Sequence, residues 1–224
     1  MPQQYEIEIK TLLGEKKNAD DLVAKMQAAD PQMKKIAESH QLNHYFVGDA
    51  QKVLVGILPF VAEEKQGLLQ KIIREGKNFS IRTRQMNDQV LFVVKASIDD
   101  TTSENGTARI EFEEALPLSL EKLDQVLLDA GASYQAKWSR DREEYAFQGV
   151  VVCIDRNAGY GYVAEFEKIV EDDTEADGVK KDLRDIMASL GVEELSQDRL
   201  ARMFAFYNEH WPLYYGTEKV FNIA

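Results

Sequence analysis

The amino-acid sequence predicts an α+β protein in which at least seven β-strands form an antiparallel arrangement, with helices inserted between them and appended after them. One observation behind this prediction is a series of short segments in which apolar and polar residues alternate, the period of a half-buried strand. Another is that turn residues, such as Asn87-Asp88 and Gln148-Gly149, separate neighbouring segments of this kind. The strand count permits a closed barrel.

The individual elements follow from this alternation, from helical periodicity and from helix-ending residues. The predicted strands are residues 4–12, 42–47, 79–84, 90–97, 107–115, 136–147, 150–156 and 162–170. The predicted helices are residues 20–30, a short one over 31–40, then 50–74, 119–130, 176–190 and 196–207. Asn18 is a candidate cap for the first helix, Pro59 interrupts the third, and Gly131 ends the fourth. A polar loop is expected over residues 99–106, and the acidic run 171–175 marks a boundary before the last two helices.

Composition excludes several functional classes. The 224 residues carry a net charge of −12, which argues against a general nucleic-acid binder because such proteins present a basic face. The single cysteine, Cys153, excludes a disulfide framework and a cysteine-rich zinc site. His40, His44 and His210 lack metal-ligand spacing, and we expect His40 and His44 at the surface or at helix ends. We expect neither a secretory signal nor a membrane span, and therefore a cytoplasmic protein.

Charged residues recur in pairs on the predicted strands. Five strands place two like charges at positions i and i+2, so that each pair shares one face of its strand. The pairs are Glu6/Glu8 (followed by Lys10), Arg82/Arg84, Glu111/Glu113, Arg140/Arg142 and Glu165/Glu167. Asp155 and Lys95 are further charges on mostly apolar strands. Cys153 alternates with Asp155 and is expected to be a small filler on the same face.

Like charges side by side repel, so a purely structural sheet does not favour these pairs. A polar interior explains them, because carboxylate pairs bind divalent cations and arginine pairs bind phosphate oxygens. A barrel lined by both signs would enclose a complex of metal and polyphosphate. The alternative is that these faces are exposed and balanced by ion pairs between neighbouring strands.

The ordered series of charged motifs resembles the CYTH superfamily, the triphosphate tunnel metalloenzymes. The motifs are EIEIK at residues 6–10, RTR at 82–84, Lys95, EFE at 111–113, RDREEY at 140–145, Asp155, a glycine-rich turn at 159–161 and EFE at 165–167. This resemblance spans about residues 4–170. It implies an eight-stranded antiparallel β-barrel, or tunnel, surrounded by helices. It also implies one domain over residues 1–224, with a C-terminal helical extension over about 171–224.

The resemblance also implies roles for the charged residues. Those expected to bind phosphate are Lys10, Arg82, Arg84, Lys95, Arg140 and Arg142. Those expected to hold Mg²⁺ or Mn²⁺ are Glu6, Glu8, Asp155, Glu165 and Glu167, with Glu111 and Glu113 in support. The residues expected to take part in catalysis are Glu6, Glu8, Lys10, Glu165 and Glu167. The sequence departs from the family pattern after Tyr45-Phe46 and in the long segment 49–77, so the substrate-selecting end is not assigned.

The resulting functional prediction is a metal-dependent phosphohydrolase acting on a small triphosphate: inorganic triphosphate, thiamine triphosphate or a nucleoside triphosphate. The alternatives are a class IV-type adenylyl cyclase that makes cyclic AMP from ATP, and a non-catalytic module that binds polyphosphate or nucleotides. The negative net charge disfavours an RNA 5′-triphosphatase and any other long anionic substrate. We expect no membrane partner, and a monomer or a homodimer.

Overall fold

Strands and helices alternate along the computed structural model, which describes residues 5–97 and 109–223. The strands are β1 (Tyr5–Gly14), β2 (Lys34–Val47), β3 (Lys77–Met86), β4 (Gln89–Ser97), β5 (Arg109–Ala115), β6 (Ser133–Phe147), β7 (Val150–Asn157) and β8 (Gly161–Val170). The α-helices are α1 (Lys16–Ala29), α2 (Ala50–Ile57), α3 (Glu63–Glu75), α4 (Leu120–Asp129), α5 (Ala176–Ser189) and α6 (Gln197–His210). The predicted α+β class, with an eight-stranded antiparallel, barrel-like sheet and C-terminal helices, is confirmed.

The chain divides into two compact units, the first of which contains residues 5–40 and 139–223. Its strands lie in the order β1-β8-β7-β6, and each neighbouring pair is antiparallel. Ile7 and Ile9 of β1 are fully buried among apolar side chains, including Leu22 of α1 and Leu183 of α5. The alternate residues of β1 therefore point away from the helices, and these are the charged ones.

The second unit contains residues 41–97 and 109–138. Its strands lie in the order β2-β3-β4-β5, again with antiparallel neighbours. Helices α2, α3 and α4 bury an apolar cluster against one face of these strands, with Ile81 of β3, Val94 of β4 and Phe112 of β5 among its members. The charged residues of β3 and β5 alternate with these apolar ones, as the sequence predicts.

Most predicted elements are confirmed, including the interruption at Pro59, where a short 3₁₀ turn (Leu58–Phe60) separates α2 from α3. The short helix predicted over 31–40 is wrong, because β2 already begins at Lys34. The first buried positions of β2 are the polar residues Ser39 and Gln41, so this part of the strand shows no alternation of apolar residues in the sequence. Asn18 is not a helix cap: α1 begins at Lys16, and the side-chain amide of Asn18 donates to the Leu13 carbonyl instead.

Some sequence predictions fall outside the described residues: the loop 99–106, residue 4, and residues 107–108 at the start of a strand. Among the helices of the described segments, none combines the length and the apolar character needed to cross a membrane.

Candidate functional site

Three carboxylates converge on the charged face of the first unit. One oxygen from each of Glu6, Glu8 and Glu167 lies within 4.8 Å of the others. The antiparallel register places Glu8 directly opposite Glu167, and the buried Ile7 and Ile9 fix which face of β1 the glutamates share. Carboxylate oxygens are the ligands that Mg²⁺ and Mn²⁺ prefer, so this acidic triad fits the predicted metal.

Within the acidic triad, the environment of Glu167 disfavours its ionised form. Burial raises the pKa of Glu167 to about 8, and the negative charges of Glu165, Glu6 and Glu8 add to the rise, against the opposing effect of Arg142. Glu167 therefore keeps a proton near neutral pH. A divalent cation beside it would favour the ionised form, which is the form that binds metal.

The environment of Glu165 favours its ionised form, although this residue lies only two positions away from Glu167. Burial disfavours its charge, but attraction from Lys10, Arg142 and Arg140 outweighs burial and holds its pKa well below the usual range. The Lys10 ammonium lies 3.0 Å from Glu165 and 2.9 Å from Glu8, and Arg142 also contacts Glu165. Lys10 is half-buried, which disfavours its charge, yet these two carboxylates hold the pKa of its ammonium above the usual value.

Asp155 accepts hydrogen bonds from two arginines, Arg140 and Arg142. Arg142 donates from Nε and Nη2 to the two oxygens of Asp155, each at 2.7 Å, and Arg140 donates at 2.9 Å. Asp155 is fully buried, so these bonds compensate the cost of removing its charge from water. The structure therefore groups Asp155 with the basic residues and not with the acidic triad.

The second unit carries its own charged face. The Arg84 guanidinium lies 2.8 Å from Glu113, Lys95 lies 3.1 Å from Glu111, and Arg82 lies 3.6 Å from Glu111. The β4–β5 register explains the Lys95 contact, because it sets Lys95 directly opposite Glu111. The two glutamates predicted to support metal binding thus serve as counterions for the basic residues predicted to bind phosphate.

Neutral side chains of β2 orient the two arginines. The Arg82 guanidinium donates to the Tyr45 hydroxyl at 2.7 Å, and Arg84 Nε donates to the Asn43 side-chain oxygen at 2.8 Å. Arg82 Nε is buried and has no hydrogen-bond partner among the described residues, which is costly unless an acceptor arrives. A phosphate oxygen is such an acceptor. The sequence prediction missed Asn43 and Tyr45, although their alternation along β2 was visible.

A second polar group was also missed. Asp124 of α4 accepts hydrogen bonds from the Thr83 hydroxyl at 2.5 Å and the Tyr134 hydroxyl at 2.7 Å, and His44 Nδ1 lies 2.7 Å from it. The expectation that His44 lies at the surface or at a helix end is wrong, since it is a buried residue of β2, three residues before the strand ends. No local sequence signal joins residues so far apart in the chain. Thr83 lies between Arg82 and Arg84 in the chain, so the polar group around Asp124 lies on the opposite face of β3 from these arginines.

Cys153 lies on the same face of β7 as Asp155 and is directly opposite Glu165 of β8. Burial raises the pKa of its thiol well above the usual value, and Glu167, Glu165 and Asp155 add to this effect while Arg142 opposes it. The thiol stays protonated, which does not suit a nucleophile.

Of the predicted site residues, the structure brings Glu6, Glu8 and Glu167 together as a candidate metal site. It places Glu165 and Asp155 with Lys10, Arg140 and Arg142, and places Glu111 and Glu113 with Arg82, Arg84 and Lys95. Four of the seven predicted metal-binding carboxylates therefore lie outside the acidic triad, each beside a basic side chain. Within the triad, Glu8 also lies 2.9 Å from Lys10 and Glu167 lies 3.5 Å from Arg142.

Comparisons with known proteins bear on the family and the fold of this chain. The family model for the CYTH domain matches residues 70–201, which begin in α3 and end in α6, so the EIEIK strand precedes the matched segment. A search of curated proteins found no match.

Several solved structures are similar in fold. A conserved hypothetical protein from Pyrococcus furiosus has a TM-score of 0.60 at 18% identity, over 84% of this chain and 91% of that one. A candidate adenylate cyclase from Vibrio parahaemolyticus has a TM-score of 0.60 at 13% identity, over 91% of this chain and 99% of that one. A candidate adenylyl cyclase from Hippeastrum is described as having a dominant triphosphatase activity. It has a TM-score of 0.50 at 17% identity, over 88% of this chain and 95% of that one. Because the family model matches more than half of its 224 residues, this chain belongs to the CYTH domain family.

Proposed function

We propose that this protein is a metal-dependent triphosphatase that hydrolyses a small triphosphate-containing molecule. The observation that carries the proposal is the acidic triad of Glu6, Glu8 and Glu167 beside the cations Lys10 and Arg142. A module that only binds anions gains nothing from carboxylates next to phosphate. Such carboxylates become useful when a cation lies between them and the phosphate oxygens.

The basic residues supply binding and orientation. Lys10 and Arg142 keep their positive charges at any physiological pH, because neighbouring carboxylates hold the pKa of each well above its usual value. When triphosphate binds, its oxygens would replace part of the carboxylate contacts of these cations. On the charged face of the second unit, Arg82 has a buried Nε that could donate to an anion, and Tyr45 would hold its guanidinium in place.

A divalent ion on the triad would neutralise phosphate charge and lower the pKa of a coordinated water. In hydrolysis, water attacks the terminal phosphorus and the bond to the bridging oxygen breaks, releasing inorganic phosphate. Phosphoryl transfer of this kind requires mainly positioning and charge neutralisation from the protein. Glu6, Glu8 and Glu167 would position the ion, while Lys10 and Arg142 would hold the phosphate chain.

A class IV-type adenylyl cyclase is the second candidate, because two of the similar folds are described as candidate adenylyl or adenylate cyclases. The two reactions differ in the bond that breaks. The cyclase would join the ribose 3′-hydroxyl to the α-phosphorus of ATP and release pyrophosphate, whereas the triphosphatase would release phosphate.

One assay separates these functions. The protein is incubated with inorganic triphosphate, thiamine triphosphate or ATP, each with Mg²⁺ or Mn²⁺, and phosphate and cyclic AMP are measured. We expect phosphate release from at least one substrate, lost in Glu8→Gln and kept in the control Glu171→Gln, which changes an exposed carboxylate. Cyclic AMP without phosphate would establish the cyclase. Tight triphosphate binding without either product would establish a binding module.

A further inference from the structure

An aromatic cage holds the segment that follows α6. Residues 214–223, which we call the C-terminal strap, place the Phe221 ring 5.0 Å from Tyr160, 5.0 Å from Phe206 and 5.4 Å from Tyr214, measured between ring centroids. Tyr160 belongs to the turn that joins β7 to β8, whereas Phe206 lies on α6. The Phe221 side chain therefore links the strap to the β7–β8 turn. Aromatic pairs at such distances are favourable beyond the surface they bury.

The backbone of the strap is joined to the same turn. The Phe221 amide donates to the Gly159 carbonyl at 2.8 Å, and the Gly159 amide donates to the Lys219 carbonyl at 3.1 Å. Gly159 has a φ of +80°, and a Cβ added there would lie 2.8 Å from the rings of Phe221 and Tyr207. A glycine at this position lets the strap approach the turn closely.

The strap also contacts β6 and β7, the two strands that carry the Arg140–Asp155 pair. The Gly216 amide donates to the Ser139 hydroxyl at 3.0 Å, immediately before Arg140. The Glu218 carboxylate lies 3.1 Å from the Arg156 guanidinium, immediately after Asp155. The strap thus touches the direct chain neighbours of both members of the buried ion pair.

We infer that the C-terminal strap is a positioning device for the phosphate-binding residues Arg140 and Arg142, with Phe221 as its anchoring side chain. The inference rests on the proposed function, and it adds a role for a segment outside the charged strands. The strap fixes the middle of β6 at Ser139 and the end of β7 at Arg156, and these two places set where Asp155 holds the two arginines. A loosened strap would let the Arg140–Asp155 pair shift, although the strap itself would not touch the substrate.

The test compares Phe221→Ala, the milder Phe221→Leu, and Phe221→Tyr, which retains the ring. Phe204→Ala, on an exposed position of α6, is the matched control for loss of an aromatic ring. Affinity for inorganic triphosphate with Mg²⁺ is measured by calorimetry at a temperature where circular dichroism shows every variant folded. Amide hydrogen exchange is measured by mass spectrometry on the same samples without ligand.

We expect about tenfold weaker triphosphate binding in Phe221→Ala, less loss in Phe221→Leu, and near wild-type binding in Phe221→Tyr and Phe204→Ala. Exchange should rise around residues 139–141 and 155–161 in Phe221→Ala and stay unchanged in β1. A folded Phe221→Ala or Phe221→Leu with wild-type affinity would overturn the inference. If the wild type fails to bind triphosphate, the proposed function is wrong. Unchanged exchange in Phe221→Ala would overturn the strap's positioning role in either case.

Discussion

Replacing Glu167 by glutamine should stabilise the metal-free protein at alkaline pH. The wild-type Glu167 carboxyl has a pKa of about 8 in the folded chain, against 4.5 for an ordinary glutamate. Below pH 4.5 both the folded and the unfolded chain hold the proton, so this group does not affect stability. Between pH 4.5 and 8 the unfolded chain releases the proton while the folded chain keeps it, and stability falls as the pH rises. Above pH 8 the folded protein bears the full free-energy cost of ionising Glu167.

The size of the effect follows from the same difference in pKa. At about 1.4 kcal/mol for each tenfold change in proton affinity, the difference corresponds to roughly 4–5 kcal/mol as an upper limit. Water reaches 15% of the Glu167 side chain, so solvent screening lowers the cost and we expect a gain of about 2 kcal/mol for Glu167→Gln at pH 9. At pH 4 the two proteins should be equally stable.

The assay is urea unfolding of wild type and Glu167→Gln at pH 4 and pH 9, with EDTA and then with saturating Mg²⁺. Glu171→Gln, which removes an exposed carboxylate, is the control for the change in net charge. Mg²⁺ should reduce or reverse the advantage of Glu167→Gln, because the ion stabilises the ionised wild type. Equal stability of the two proteins at pH 9 in EDTA would refute the reasoning, since Glu167 would then ionise without cost.

Three further predictions concern the metal, the arginines and the second buried polar group. Treatment with EDTA should abolish phosphate release, and Mg²⁺ or Mn²⁺ should restore it; full turnover in EDTA would contradict a metalloenzyme. Arg82→Ala and Arg84→Ala should each weaken triphosphate binding roughly ten- to a hundredfold by calorimetry, because each removes a charged hydrogen bond, while the exposed Arg74→Ala should not. Asp124→Asn should cost about 2–4 kcal/mol in urea unfolding, because it removes a buried charge that holds His44 and two hydroxyls. Triphosphate affinity of the folded Asp124→Asn protein should stay near wild type, and a large loss would place Asp124 in the site.

The alternation of side chains along single strands could be predicted from the sequence. Ile7 and Ile9 are buried, and Glu6 and Glu8 share the other face, because successive residues of a strand point to opposite faces. The same rule placed Arg82 and Arg84 opposite Ile81. It failed for the start of β2, where buried positions carry polar side chains and no apolar period remains.

The sequence by itself determined the order of charged strands, the face on which each charge lies and the family to which those motifs point. Only the tertiary structure decided which carboxylates form the acidic triad and which are counterions. Glu165 and Glu167 occupy equivalent positions on one strand, yet Lys10 and Arg142 lower the pKa of the first, whereas burial and neighbouring carboxylates raise that of the second. The physical reason is that strand register selects each carboxylate's neighbours. Those neighbours come from distant parts of the chain, so no local pattern of residues encodes them.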